Sequence, residues 1–190
     1  MPTKPGERKH QILQTLAAML EDPKAERITT AALAKRLDVS EAALYRHFAS
    51  KAQMFEGLIE FIEHTLFGLV NKITAEEKSG IKQLDAVLTM LLGFAKKNPG
   101  MTRVLIGDAL VNEDERLQAR INQLHDRLEA TLKQALRFAL SEKEIPESVD
   151  PTAQANLMLA FVVGRWHQYA KSGFRRDPTE YWSVQWPNIV

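Results

Sequence analysis

The sequence predicts an all-helical protein of about nine helices, on three observations. Apolar residues recur three and four positions apart through most of the chain, the spacing that gathers them on one helix face. No stretch alternates apolar and polar residues over the length of a strand. Prolines, glycines and capping residues interrupt the apolar stripes at helix-like intervals.

Residues 1–6 hold two prolines and a glycine and read as a mobile arm, which Lys4, Arg8 and Lys9 make basic. Ile12, Leu13, Leu16, Ala17, Met19 and Leu20 form the stripe of a first helix over 7–21, which Asp22-Pro23 ends. Residues 24–28 read as a loop. Thr29 or Thr30 caps a second helix to about 37, with Leu33 and Leu37 on one face. Asp38-Val39-Ser40 forms a turn. Ser40 caps a third helix over about 41–47, with Glu41 at its positive end and Leu44 and Phe48 inward.

Ser50 opens a long helix to about residue 74, with Gln53 placed to reach back to the Ser50 amide as a capping box. Met54, Phe55, Leu58, Ile59, Ile62, Leu66 and Val70 carry its stripe, while Phe61 and Phe67 fall partly off it. A polar break over 76–80 precedes a helix over 81–97. Asn98-Pro99-Gly100 reads as a firm break and 101–111 as a buried helix. Asn112, followed by Glu113-Asp114-Glu115, reads as the start of a helix to about 140. Asp150-Pro151 opens an apolar helix that Gly173 closes. Asp177-Pro178-Thr179-Glu180 starts a short terminal helix interrupted at Pro187.

Composition narrows the function. The chain has no cysteine, which excludes disulfides, thiolate metal sites and cysteine catalysis and suits a reducing cytoplasm. The N-terminus lacks an apolar signal core, and no apolar run reaches membrane-spanning length. The five histidines (10, 47, 64, 125 and 167) show no metal-ligand spacing, and His125 sits in a charged stretch that reads as surface. No phosphate loop or nucleophile motif is present, so an enzyme, a metal centre and a bound cofactor are not expected. The formal net charge is only +1, but residues 1–51 carry nine Lys/Arg against six Asp/Glu. That excess falls on the two short helices joined by a turn, where it can face phosphates. A short helix backed by a small core and exposing Glu41, Ala42, Tyr45, Arg46 and His47 suits a DNA major groove. Thr29, Tyr45, His47 and Lys51 offer donors to phosphate oxygens, and Thr30 adds a base-reading group from the preceding helix. The N-terminal arm is then either a solvated tail or a DNA-touching arm.

The pattern T-x3-LA-x4-VS-x4-YRHF-x2-K over residues 29–51 resembles the DNA-binding domain of the TetR family of bacterial regulators. The family usually places glycine in the turn, where Asp38 stands, and Asp tolerates a left-handed backbone better than most residues. Likeness extends through LLGFAKKNPGMTRVLIGDALVNEDERLQARINQL and RWHQYAKSGFRRDPTEYWSVQWP to the nucleoid-occlusion branch of that family. Members of this branch bind chromosomal sites and antagonise polymerisation of FtsZ, the bacterial tubulin homologue.

The resemblance implies a helix-turn-helix DNA-binding domain over 1–50 and a helical dimerisation and partner-binding domain over 51–190. It implies DNA contacts from Thr29, Thr30, Ser40, Glu41, Ala42, Tyr45, Arg46, His47 and Lys51 to a palindromic double-stranded site. It places the FtsZ C-terminal tail on Phe61, Met90, Gly93, Phe94, Lys97 and Asn98. The competing reading is that Met90 and Phe94 are core, Gly93 a packing contact and Lys97 a solvated charge. Gly68 and Leu69 stand where the family can carry a basic residue. Homodimerisation is expected through Ala153, Leu157, Ala160, Phe161 and Gly164, whose small side chains permit close approach, with burial inside one subunit as the alternative. The expected protein is thus cytoplasmic and nucleoid-associated, with no membrane and no small-molecule ligand required. A ligand-responsive transcriptional repressor and a helical scaffold without DNA binding are the alternatives.

Overall fold

The computed structural model describes residues 5–22 and 28–190. Lys4 and the rest of the arm before Pro5, and residues 24–27 of the expected loop, lie outside the described residues. Nine α-helices and two short 3-10 segments account for the regular structure among the described residues, and none of these is in a strand.

Helix α1 (Pro5–Leu20) begins before the expected start at 7 and takes in Pro5 and Gly6, the last two residues of the expected arm. Proline suits that start because its fixed φ matches a helix and its missing N–H would have had no partner there. The next two helices are α2 (Thr30–Arg36) and α3 (Glu41–Tyr45). Thr29 caps α2 by accepting the Ala32 amide at 3.1 Å, and Ser40 caps α3 by accepting the Ala43 amide at 3.2 Å. Caps of this kind contribute about 1 kcal/mol each. Between the helices Asp38 takes φ 53°, the left-handed conformation that the turn needs in place of glycine.

Helix α4 (Lys51–Glu76) follows. Ser50 accepts the Gln53 amide, but Gln53 Oε1 reaches back to the Ala49 amide at 2.9 Å and not to that of Ser50, so the reciprocal cap is displaced by one residue. Helix α5 (Gly80–Lys97) is capped by Ser79, and Asn98 alone separates it from α6 (Pro99–Leu105). The expected break at 98–100 is therefore a one-residue corner, with Gly100 inside a helix. The expected buried helix over 101–111 ends at Leu105, and a 3-10 turn (Asp108–Leu110) completes the segment.

Helix α7 (Glu115–Ser141) starts after the position expected, because Asn112 takes φ 65° and belongs to the preceding turn. Helix α8 (Pro151–Lys171) begins on the Asp150 cap and ends at Gly173, which takes φ 65°. The Phe174 amide donating to the Tyr169 carbonyl completes this C-terminal cap. Asp177 caps only a turn, and the terminal helix α9 (Trp182–Gln185) waits until Tyr181 has taken φ 66°. Trp186–Asn188 is a 3-10 turn containing Pro187.

The chain forms two compact units that do not divide at residue 50. The first takes the chain up to Ile62 together with Pro99–Ile121; the second is Glu63–Asn98 with Asn122–Val190. In the first, Ile12, Leu16, Leu33, Leu44, Phe55, Leu58, Val104 and Ile121 are buried. Contacts between α6 and α1 help to tie its non-contiguous parts together. Gly100 on α6 lies so close to α1 that a Cβ there would stand 2.0 Å from the Ala17 carbonyl oxygen. Arg103, also on α6, donates through Nη1 to the carbonyls of Leu20 (3.3 Å) and Asp22 (3.1 Å), while its Nε pairs with Asp108 at 2.7 Å. A cation thus satisfies carbonyls at the negative end of α1.

In the second unit α5, α7 and α8 supply Leu84, Leu88, Leu91, Leu124, Leu128, Leu132, Met158 and Val162 to the core. Trp166 is fully buried and donates its indole N–H to the Leu91 carbonyl at 3.1 Å. His125 is half-buried 6.1 Å from that indole, not on the surface. It flanks the apolar stripe of α7, a placement its charged sequence neighbours hide. Phe67 is half-buried under the Arg127 guanidinium, 3.8 Å from the ring centre.

Candidate nucleic-acid interface

The first unit presents the short helix α3 with Glu41, Ala42, Tyr45 and Arg46 exposed. Helix α3 ends at Tyr45, so Arg46 and His47 lie in the turn after it, and the His47 amide donates to the Leu44 carbonyl at 2.9 Å. The two helices of the motif are joined by their own polar groups. The Thr30 hydroxyl donates to Glu41 at 2.6 Å, and the Tyr45 hydroxyl lies 3.4 Å from that of Thr30. This chain of contacts fixes the angle at which α3 is presented. It also engages three of the expected DNA-contacting side chains before any ligand arrives. Thr29 and Ser40 are engaged too, as caps, leaving each hydroxyl's hydrogen available to a phosphate.

Lys51, the first residue of α4, forms an ion pair with Glu113, and the two side chains are only 20% and 9% exposed. Its ammonium also lies 5.7 Å from the centre of the Phe55 ring. Sequence reasoning read Glu113 as helix-start charge and missed this contact, which joins residues 62 positions apart. The next residue, Asp114, is held by the Arg116 side chain and then by the Arg116 amide, which pull its carboxyl down to about 2.

The residues expected to bind the partner tail fall in both units. Phe61, on the part of α4 in the first unit, is 39% exposed, with the His10 ring edge-on at 6.0 Å. Met90, Gly93 and Lys97 follow one another at helical spacing on α5 in the second unit. Met90 and Gly93 are half-buried and Lys97 exposed, and nothing lies within 4 Å of a Cβ added at Gly93. Phe94 is buried, so it backs this face from inside the core, and Asn98 turns its amide onto the Phe94 carbonyl at 2.8 Å.

Helix α8 serves two faces. Ala155, Met158, Leu159, Val162 and Trp166 are buried within the unit. Ala153, Leu157, Ala160 and Gly164 form a separate exposed stripe, with Leu157 52% exposed. Phe161 lies between the two faces, half-buried, 5.8 Å from the Trp182 ring. Among the described residues no three His, Asp or Glu side chains gather to hold a metal, and no helix is long and apolar enough to cross a membrane.

Residues 12–58 match the model of the TetR family of bacterial regulatory proteins, and residues 78–190 match the SlmA-like, tetracyclin-repressor-like C-terminal domain. The chain is 54% identical over 179 residues to the nucleoid occlusion factor SlmA of Alteromonas mediterranea, covering 94% of this chain and 92% of that one. It is 50% identical over 186 residues to the SlmA of a Marinomonas species, covering 98% and 94%. Among solved structures, a TetR-family regulator from Agrobacterium tumefaciens superposes with a TM-score of 0.81 at 14% identity, covering 98% of this chain and 97% of that one. FadR of Bacillus subtilis, solved with stearoyl-CoA, superposes with a TM-score of 0.77 at 14% identity, covering 95% and 97%; at such identity the likeness concerns the fold. With half of its residues shared across both the helix-turn-helix and the C-terminal domain, the chain belongs to the TetR family of bacterial DNA-binding regulators, in its SlmA nucleoid-occlusion branch.

Proposed function

We propose that this protein is a dimeric, nucleoid-associated inhibitor of cell division that binds palindromic chromosomal sites and, when bound, antagonises FtsZ assembly. One observation carries the reading: identity of about one half spans nearly the whole chain, with residues 78–190 matching the SlmA-like C-terminal domain, and reaches relatives named nucleoid occlusion factors. In this scheme α3 enters the major groove. Thr29, Tyr45, His47 and Lys51 hold phosphates, and Thr30, Glu41, Ala42 and Arg46 face base edges. Since few of these groups can read bases, DNA shape contributes to site choice. The α5 face around Met90, Gly93 and Lys97 takes the FtsZ C-terminal tail. DNA occupancy brings several dimers to one filament.

Two measurements test the halves separately. Lys51→Ala is expected to weaken binding to every DNA sequence by a similar factor and to make the salt dependence shallower by about one unit. Co-sedimentation of FtsZ polymer is expected to fall when protein and its operator are added together. Unchanged polymer mass would remove the division-inhibitor reading while leaving DNA binding intact.

A ligand-responsive repressor is favoured by one feature, an open cavity of about 560 Å³ in the second unit lined by Val70, Asn71, Thr74, Thr131, Gln134 and Phe138. A genome-wide map of occupied sites separates the two readings. Many scattered sites, sparse around the replication terminus, fit nucleoid occlusion. A few sites beside transporter or enzyme genes fit a repressor.

A further inference from the structure

The Lys51–Glu113 pair sits where DNA has to be received. Lys51 stands at the start of α4, three residues after the Phe48 that closes the helix-turn-helix core, and is the expected phosphate contact there. Glu113 comes from the turn between the 3-10 segment and α7, far away in sequence but in the same compact unit. Its side chain is only 9% exposed. A carboxylate so little exposed holds a neighbouring ammonium more firmly than one in open water would.

The turn presenting Glu113 is also well anchored. The Glu113 amide donates to the Leu110 carbonyl at 3.0 Å, the preceding Asn112 holds φ 65°, and the following Asp114 is gripped by Arg116. These contacts fix the backbone from which the Glu113 side chain reaches Lys51.

We propose that Glu113 sets the strength of DNA binding by competing with the phosphate backbone for the Lys51 ammonium. In the free protein the carboxylate occupies the position that a phosphate oxygen would take against this lysine. Binding DNA exchanges one anion for the other, and the exchange loosens the 110–114 turn that presents Glu113. The competition keeps the electrostatic, sequence-independent part of binding low, so that occupancy depends more on the contacts of α3 with a true site. The inference rests on the reading of Lys51 as a phosphate contact.

The test is a double-mutant cycle on full-length protein, titrated with operator and with unrelated duplex DNA over a range of salt. Glu113→Gln is expected to tighten binding to both DNAs by a similar factor, about three- to tenfold. In a Lys51→Ala background the same substitution is expected to change nothing. A gain that survives in that background overturns the proposal, because it would come from the general field of one removed charge. Unchanged or weaker binding by Glu113→Gln also overturns it. If Lys51→Ala alone binds like the unmodified protein, the phosphate reading falls, and this inference with it. A measurement without mutation guards against a misfolded variant: amide exchange of the 110–114 turn in the unmodified protein is expected to quicken when operator is added. Unchanged or slower exchange there overturns the exchange of partners.

Discussion

Ala160→Arg is expected to abolish dimerisation and with it nearly all operator binding. Ala153, Leu157, Ala160 and Gly164 form an exposed stripe along α8, whose opposite face is already committed to the core. Among the described residues nothing lies within 4 Å of a Cβ added at Gly164, so none of them covers that part of the stripe. Small residues in such a row let two helices approach closely, and an arginine in the middle both blocks the approach and strands a charge between them. The subunit itself should fold normally, since Ala160 is exposed. Light scattering is expected to report the 21.5 kDa of one chain instead of twice that mass. Operator affinity should fall by more than about a hundredfold, because two linked half-site contacts become independent weak ones. A variant that stays dimeric would show that the interface lies elsewhere.

Gly100→Ala is expected to cost about 3 kcal/mol of folding stability, an overpacking effect at the upper end of the usual range. The added Cβ would meet the Ala17 carbonyl oxygen at 2.0 Å and the Leu20 Cβ at 3.1 Å. The first of these atoms is backbone, so no rotamer change relieves the clash, and α1 and α6 have to separate. Separation would also pull Arg103 from the Leu20 and Asp22 carbonyls. Urea unfolding measures the loss, and a loss below about 1 kcal/mol would mean that the two helices slide apart freely. Gly93→Ala provides the contrast. It lies in open space, so a helix-favouring residue there should leave stability unchanged or raise it by a few tenths of a kcal/mol, up to about 1.

These two glycines, both helical, were not distinguishable by sequence. Asn98-Pro99-Gly100 carries every mark of a break, yet Gly100 serves close helix packing, which depends on a residue 83 positions away. Glu113 shows the same limit. An acidic run at a helix start has a sufficient local explanation, and nothing in the chain near it names Lys51 as its partner. Arg103 gave no signal at all, since the carbonyls it satisfies belong to the end of α1. The helix starts at 112 and 177 were misplaced because Asn112 and Tyr181 take left-handed conformations that no local pattern announced.

What the chain alone determined is whatever acts within a few residues along it. The helical periodicity, the caps at Thr29, Ser40 and Asp150, the glycine stop at 173 and the left-handed turn at Asp38 all follow from side chains and the backbone beside them. These were enough to recognise the DNA-binding motif and the family. Tertiary structure decided how the donors of that motif are occupied: Thr30 with Glu41, and Lys51 with Glu113. It also decided which side of α8 is core and which is left exposed, and that 99–121 packs with the first unit instead of the second. The physical reason is the same in each case. A buried charge, a close backbone approach or a helix face is satisfied by whichever group the fold brings near, and sequence distance places no bound on which group that is.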